Sequence, residues 1–274
     1  MFWYSNSDRF LEVLARVAPG SGTKGRDRRY RMLADLGDIT PGFVLPERVE
    51  AISRGNLNTV LARSVADLVG RNGYENVCLF LDGTRTSIDD SRSVLRYFKL
   101  LYEMLSRDNL DGCAVRCAVI GGRQPDDPLW LEKKILEPDP AFVGYLQAKY
   151  PTVNPRRREA LLRSLQWKPG FDDRLEITGH TLWLFQTDSL AETGLASLAR
   201  SNIKVPARLS VISLENDPGF LHLGLSVCAP DWERAGYLMA HAVVGDFDPA
   251  RTDSGYLRLP CLFVPRFTTP EQVL

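Results

Sequence analysis

Hydrophobic positions along this chain fall into short unbroken runs, separated by stretches in which apolar residues recur every three to four positions. Val77-Cys78-Leu79-Phe80-Leu81 and Leu182 to Phe185 are such runs, and Ala114 to Ile120 is one broken only at Arg116. Their length and content suit strands buried on both faces. Between them the spacing is helical. Val60, Leu61, Val65 and Leu68 share one face of a helix over Val60 to Leu68, which Gly70 to Gly73 end. Asp89, Asp90 and Ser91 offer N-cap oxygens to a second helix, whose apolar face is Val94, Phe98, Leu101 and Leu105. Residues 123 to 140 read as a long loop around a short helix at Trp130 to Ile135. Ala141 to Lys149 and Arg156 to Leu165 read as helical.

From Leu182 to Asp217 the pattern is an apolar strand, a turn carrying Asp188, a helix, a short loop at Val205-Pro206, and a strand that stops at acidic residues. Leu223 to Cys228 predicts a strand, Asp231 to Val244 a helix and Leu257 to Val264 a last strand. The first 45 residues carry little regular pattern. One helix through Phe10, Leu11, Val13, Leu14 and Val17 is followed by a Gly-rich basic stretch and a turn-rich one. No segment repeats. Strands alternating with helices predict an α/β fold around a parallel sheet. In such sheets ligands bind beyond the carboxyl ends of the strands. The two strand ends near Asp188 and Glu215 therefore mark where a ligand would sit.

Composition narrows the partners. Lys plus Arg and Asp plus Glu number 34 each among 274 residues, so no overall field draws the chain to nucleic acid or anionic membrane. No apolar run approaches the roughly 20 residues of a membrane span, and Met1 to Asp8 lacks the layout of a secretory signal. Cys78, Cys113, Cys117, Cys228 and Cys261 are too scattered for a disulfide framework, and a reducing cytoplasm is the expected setting.

The motifs that carry chemistry mostly fail on inspection. Leu79-Phe80-Leu81-Asp82-Gly83-Thr84 is close to the haloacid-dehalogenase phosphatase signature, but the nucleophilic carboxylate two residues before Asp82 is replaced by Phe80. Cys113 and Cys117 lack the further ligands that structural zinc wants. His180, His222 and His241 stand apart, and neither a nucleophile elbow nor a phosphate-binding loop is present. The basic clusters Lys24 to Arg31 and Arg156 to Arg158 read as solvated surface.

The stretch from Thr187 onward resembles the effector-binding domain of the lac/galactose repressor family of bacterial transcription regulators. Thr187-Asp188-Ser189-Leu190-Ala191 stands where that family has Ala-Asn-Asp-x-x-Ala at a strand end. Val205-Pro206 with Ser210-Val211-Ile212, and then Ser213-Leu214-Glu215-Asn216, follow at the family's spacing. Pro230 and Gly236, the ending Arg266-Phe267-Thr268-Thr269, and Gly73-Tyr74-Glu75-Asn76-Val77 upstream extend the likeness to about Glu47 to Thr269. The sequence departs from the family at Thr187 in place of Asn, Thr193 in place of Gly, and Glu215-Asn216 in place of Asp-Asp.

The resemblance implies a two-lobed type I periplasmic-binding-protein-like fold of parallel sheets flanked by helices. Lobe one would hold residues 1–54 and 225–248, and lobe two residues 55–224 and 249–274. It implies a non-catalytic sensor of a small polar effector, a sugar or a nucleoside-like molecule, acting as a homodimer without metal or cofactor. Expected contacts are Asp188 and Glu215 for ligand hydroxyls, Arg92 for a further acceptor, and Thr187 and Asp82 at the rim. Phe2 to Asp8 is similar to the second strand of lobe one. The DNA-binding headpiece and the first strand-helix unit would then be absent, and DNA would be reached only through such a headpiece. A ligand-free dimerisation module and an α/β enzyme are the alternative readings.

Overall fold

The computed structural model describes residues 2–5, 32–36, 49–84, 110, 112–122, 156, 166–171, 177, 179–244, 250–252 and 255–270. The chain divides into two compact units, Met1–Val60 with Pro230–Cys261 and Leu61–Ala229 with Leu262–Leu274. The fold is the α/β arrangement that the alternating pattern predicts.

Unit one holds a three-stranded parallel sheet in the order β1 (Phe2–Ser5), β2 (Met32–Leu36), β3 (Val49–Ser53). Phe2 pairs with Leu33, and Met32 with Val49. The strand expected at Phe2 is present, whereas β2 and β3 lie where the sequence suggested turns or no regular element. Both are five residues long, and MLADL and VEAIS mix apolar with polar positions too briefly for a period to show. A helix at Trp232–Val244 belongs to this unit. Its Ala235, Leu238 and Ala242 are buried against Leu257 and Leu259.

Unit two is built on a seven-stranded sheet. Its strands are β4 (Asn76–Asp82), β5 (Ala114–Ile120), β6 (Gln166–Lys168), β7 (Thr181–Phe185), β8 (Ser210–Ser213), β9 (Ser226–Pro230) and β10 (Cys261–Val264). Their order across the sheet is β10-β9-β8-β7-β4-β5-β6. From β4 the chain goes to β5 on one side and later returns to β7 on the other. The gap beyond β4 and β7 is therefore a topological switch point, where open α/β sheets hold ligands. In chain order the described helices are α1 (Arg54–Asn72), α2 (Asp188–Arg200) and α3 (Trp232–Val244).

The core of unit two grows from the unbroken apolar runs. Leu79, Leu182, Leu184 and Phe185 are fully enclosed. Phe80 and Phe185, partners across β4 and β7, stack at 5.0 Å, and Trp183 and Phe171 complete an aromatic cluster with Phe80 at 4.7 and 5.3 Å. Helix α2 lies over this face with Leu190, Ala191 and Leu198 buried. Gly194 lets it approach, because a Cβ there would run into the Phe185 ring.

The terminal Arg266-Phe267-Thr268-Thr269 acts as a latch. Thr268 Oγ1 accepts from Ser226 N at 2.8 Å and donates to the Val211 carbonyl at 2.7 Å, while Val211 N donates to Thr268 O at 2.9 Å. Ser226 Oγ meets Thr269 Oγ1 at 2.8 Å, and Arg266 reaches the Leu225 carbonyl at 2.6 Å. One short segment thus ties the starts of β8 and β9 together.

Two strand limits differ from expectation. Pro218–Leu223 form a 3-10 turn capped by Asp217, whose carboxylate accepts from Gly219 N at 2.9 Å, and Gly224 leaves it with φ 59°. Strand β9 therefore starts at Ser226 and not at Leu223, since this turn already satisfies the backbone of Leu221 to Gly224. The last strand is only Cys261–Val264, because Leu257 is taken by an isolated antiparallel bridge to Arg251. The helices expected at Phe10 to Val17, around Val94 to Leu105 and at Ala141 to Lys149 lie outside the described residues, as does the loop at 123 to 140. Of the one at 156 to 165, only Arg156 is described.

Candidate functional site

The carboxyl ends of β4, β7 and β8 all belong to unit two and gather most of the polar residues singled out in the sequence. At the end of β4, Asp82 is buried and its Oδ1 accepts from Thr84 N at 2.9 Å and from the Thr84 hydroxyl at 2.6 Å. This is a carboxylate closing its own turn. The strand before it carries Phe80 in the aromatic core, so the position that a phosphatase nucleophile would need is committed to packing. Gly122 comes against Gly83 so closely that a Cβ would strike the Gly83 carbonyl.

Gln186 closes the switch point from the β7 side. Its Oε1 accepts from Asp82 N at 2.7 Å, and its own N–H donates to the Phe80 carbonyl at 2.9 Å. One buried amide thus joins the ends of both strands. Sequence reading passed over it, although a polar residue ending an apolar run directly before Thr187-Asp188 is a visible signal.

Thr187 is the N-cap of α2. Its backbone is extended, and its Oγ1 accepts from Leu190 N at 3.2 Å and lies 3.2 Å from Ser189 Oγ. Asp188 is the first helical residue, where a negative charge favours the helix dipole. Only 2% of its surface is exposed. Its Oδ2 accepts from Asp217 N at 2.6 Å, and its N–H donates to the Glu215 carboxylate at 3.2 Å. Asp188 Oδ1 is buried and has no hydrogen-bond partner among the described residues.

At the end of β8, Leu214 N donates to the Phe185 carbonyl at 2.8 Å, and Glu215 N donates to Ser213 Oγ at 3.3 Å. Glu215 is partly exposed and Asp217 exposed. Arg266 donates to Asn216 Oδ1 at 3.0 Å, linking the latch to this turn. The structure brings together Thr187, Asp188 and Glu215, and joins Asp82 to them through Gln186. Arg92 lies outside the described residues. Chemically the turn offers carboxylate acceptors held by backbone donors. It holds no group of three or more His, Cys, Asp or Glu side chains able to bind a metal among the described residues.

A family model for a periplasmic binding protein-like domain matches residues 143–269. That stretch is a periplasmic-binding-protein-like domain. It contains β6 to β10, α2 and α3, and with them Thr187, Asp188 and Glu215, while Asp82 and Arg92 precede it. Over the matched residues the fold is of the periplasmic-binding-protein-like kind. Similar solved structures include a LacI family transcriptional regulator from Silicibacter pomeroyi, 12% identical, with a TM-score of 0.49 over 98% of this chain and 76% of that one. A PurR family transcriptional regulator from Vibrio parahaemolyticus is 14% identical with a TM-score of 0.47, over 98% of this chain and 76% of its own. A LacI family regulator from Arthrobacter, in complex with lactose, is 16% identical with a TM-score of 0.45, over 89% and 72%. No curated protein matches the chain. No helix among the described residues is long and apolar enough to cross a membrane.

Proposed function

We propose that the periplasmic-binding-protein-like domain is the effector-sensing part of a bacterial transcription regulator, and not an enzyme. It would bind a small polar molecule, sugar or nucleoside-like, in the cytoplasm. The observation that carries this is the convergence of Thr187, Asp188 and Glu215 at the carboxyl ends of β7 and β8, inside the family-matched residues. Glu215 is the contact we favour for a ligand hydroxyl, because its carboxylate is partly exposed and held by the Asp188 N–H. Asp188 acts mainly by fixing the turn, with Oδ1 left to accept from a ligand. Thr187, Asp82 and Arg92 complete the proposed contact set.

The two lobes of the sensor are identified with the two compact units, and effector binding would change their relation and so the affinity for DNA. DNA would be met only through a separate headpiece. A homodimer is proposed as the working form. The exposed Leu221 and Phe267, joined through Gly224, whose carbonyl accepts from Phe267 N, are the apolar surface on unit two that supports it.

A thermal-shift panel of sugars, nucleosides and polyols tests the reading. Stabilisation by a member of one class, reduced in Glu215→Gln, is the expected result. No response to any compound would leave the ligand-free dimerisation module as the better account.

A further inference from the structure

The sheet of unit two has a second polar concavity at its opposite end. Strands β7 and β8 run parallel, and their amino ends are preceded by His180 and Leu209. Beside them lies a cavity of about 470 Å³ lined by Ile177, His180, Pro206, Arg208, Leu209 and Pro270, among others. The five residues of β7 separate it from Asp188 by roughly 16 Å, at about 3.3 Å per residue. Its volume is within the range of small-molecule sites.

We infer that this cavity binds a small organic anion through Arg208 and His180, with the ligand's apolar body against Leu209, Ile177 and the two prolines. Among the described residues the lining contains a guanidinium and an imidazole but no carboxylate. Arg208 is exposed at the cavity, and no described residue forms an ion pair or side-chain hydrogen bond with it; a guanidinium grips a carboxylate or phosphate in bidentate fashion. Glu75, which lies across Gly179, is outside the lining.

The backbone of the walls is fixed before any ligand arrives. The His180 ring packs at a tilt on the buried Tyr74 ring, 4.3 Å between centroids, and the His180 carbonyl accepts from the N–H groups of Glu75 and Asn76 at 2.9 and 3.2 Å. The Arg208 N–H closes a turn on the Lys204 carbonyl at 2.9 Å. The latch bond from Val211 N to Thr268 O holds the segment that carries Pro270. A preformed site loses little on ordering. The apolar share of the lining calls for more than a bare anion. The site is independent of the proposed effector contacts.

Phenyl phosphate is the probe, with inorganic phosphate and phenol as its two halves, titrated into the full chain and followed by amide chemical shifts. Expected are saturable shifts at Gly179, His180, Ala207 and Arg208, with each half at least tenfold weaker than the whole. Arg208→Glu should weaken binding at least tenfold at unchanged Tm, and Glu215→Gln should leave it alone. Arg208→Gln serves the same purpose if Arg208→Glu does not fold. Shifts confined to the turn at Glu215, affinity unchanged in both Arg208 variants, or inorganic phosphate binding as tightly as phenyl phosphate would each overturn the inference.

Discussion

Asp188 and Glu215 are joined across two turns by one backbone donor: the Asp188 N–H points at the Glu215 carboxylate, 3.2 Å away. Asp188 in turn holds the residue two beyond Glu215, accepting from Asp217 N at 2.6 Å. The two acids lie at the ends of neighbouring parallel strands, and each steadies the turn that carries the other. Backbone N–H groups, including those at the start of α2, supply positive partners to the two carboxylates.

Removing the Asp188 carboxylate should cost stability. Asp188→Ala leaves the Asp217 N–H without its acceptor and opens a small void. An orphaned buried donor costs about 1–3 kcal/mol; this bond is only part-buried, so urea unfolding should show a loss at the low end of that range. Asp188→Asn keeps an oxygen of the same reach and should lose less. Equal losses in the two variants would mean that charge, and not the hydrogen bond to Asp217, is what the site needs.

Gly194→Ala sets helix propensity against packing. Alanine is better than glycine inside a helix by about 1 kcal/mol, but its Cβ would enter the Phe185 ring, which is fully buried beneath α2. Overpacking a tight core costs about 1–3 kcal/mol, so the expected sign is destabilising. Thermal unfolding of the variant should give a lower Tm; a higher one would show that α2 can lift off β7 without loss.

Strands β4 and β7 were legible because strands largely enclosed on both faces are unbroken apolar runs, and β5 matches Ala114 to Ile120 end to end although Ala114 and Arg116 are exposed on one face. Helix α2 was legible from its spacing and from the Thr187-Asp188-Ser189 start. β2 and β3 were not, since five residues of mixed polarity give no period. The 3-10 turn at Pro218 was concealed because Leu221, Leu223 and Leu225 continue the apolar texture across a helical turn, a glycine and a strand. At the site, residue types suggested ligand contacts, but hydrogen bonding depends on which strands are neighbours. Asp188 and Asp217 are 29 residues apart, and nothing local reveals that one accepts from the other. Gln186 and Asp82, 104 residues apart, are the same case.

The latch gives a third prediction. Thr268→Val keeps the shape and removes the hydroxyl that accepts from Ser226 N and donates to the Val211 carbonyl. Both backbone groups are then buried without that partner, and a loss of about 2–5 kcal/mol is expected from two such groups. Thr268→Ser retains the hydroxyl and should lose only the methyl packing. Chemical denaturation of the two variants checks the order, and a Val variant as stable as the Ser variant would show that the latch holds by packing alone.

The cysteines give a prediction in pH. Burial pushes the Cys117 thiol from 9.0 up to about 12, with Cys78 nearby adding to it. Burial likewise raises Cys78 to about 11 against the opposing charges of Arg116 and Lys168. Only the thiolate reacts, so at pH 8 roughly one molecule in a thousand is reactive at Cys78 and roughly one in ten thousand at Cys117. Alkylation of the folded chain at these two positions should therefore be far slower than in urea. Cys117 registers with Leu79 across the strands, which puts it on the opposite face from Cys78, so oxidation should not join the pair. The same shifts act on stability. A folded-state pKa above the unfolded value means that the folded chain keeps protons the unfolded chain releases, and stability then falls as pH rises. The contribution is whole below about pH 9 and is lost between there and 11 to 12, a window shared by Tyr256, which burial raises from 10.0 to about 12. Urea midpoints measured from pH 7 to 10.5 should stay level and then decline above about 9. Replacing Cys117 with Ala should flatten part of that decline, and an unchanged slope would assign it to other groups.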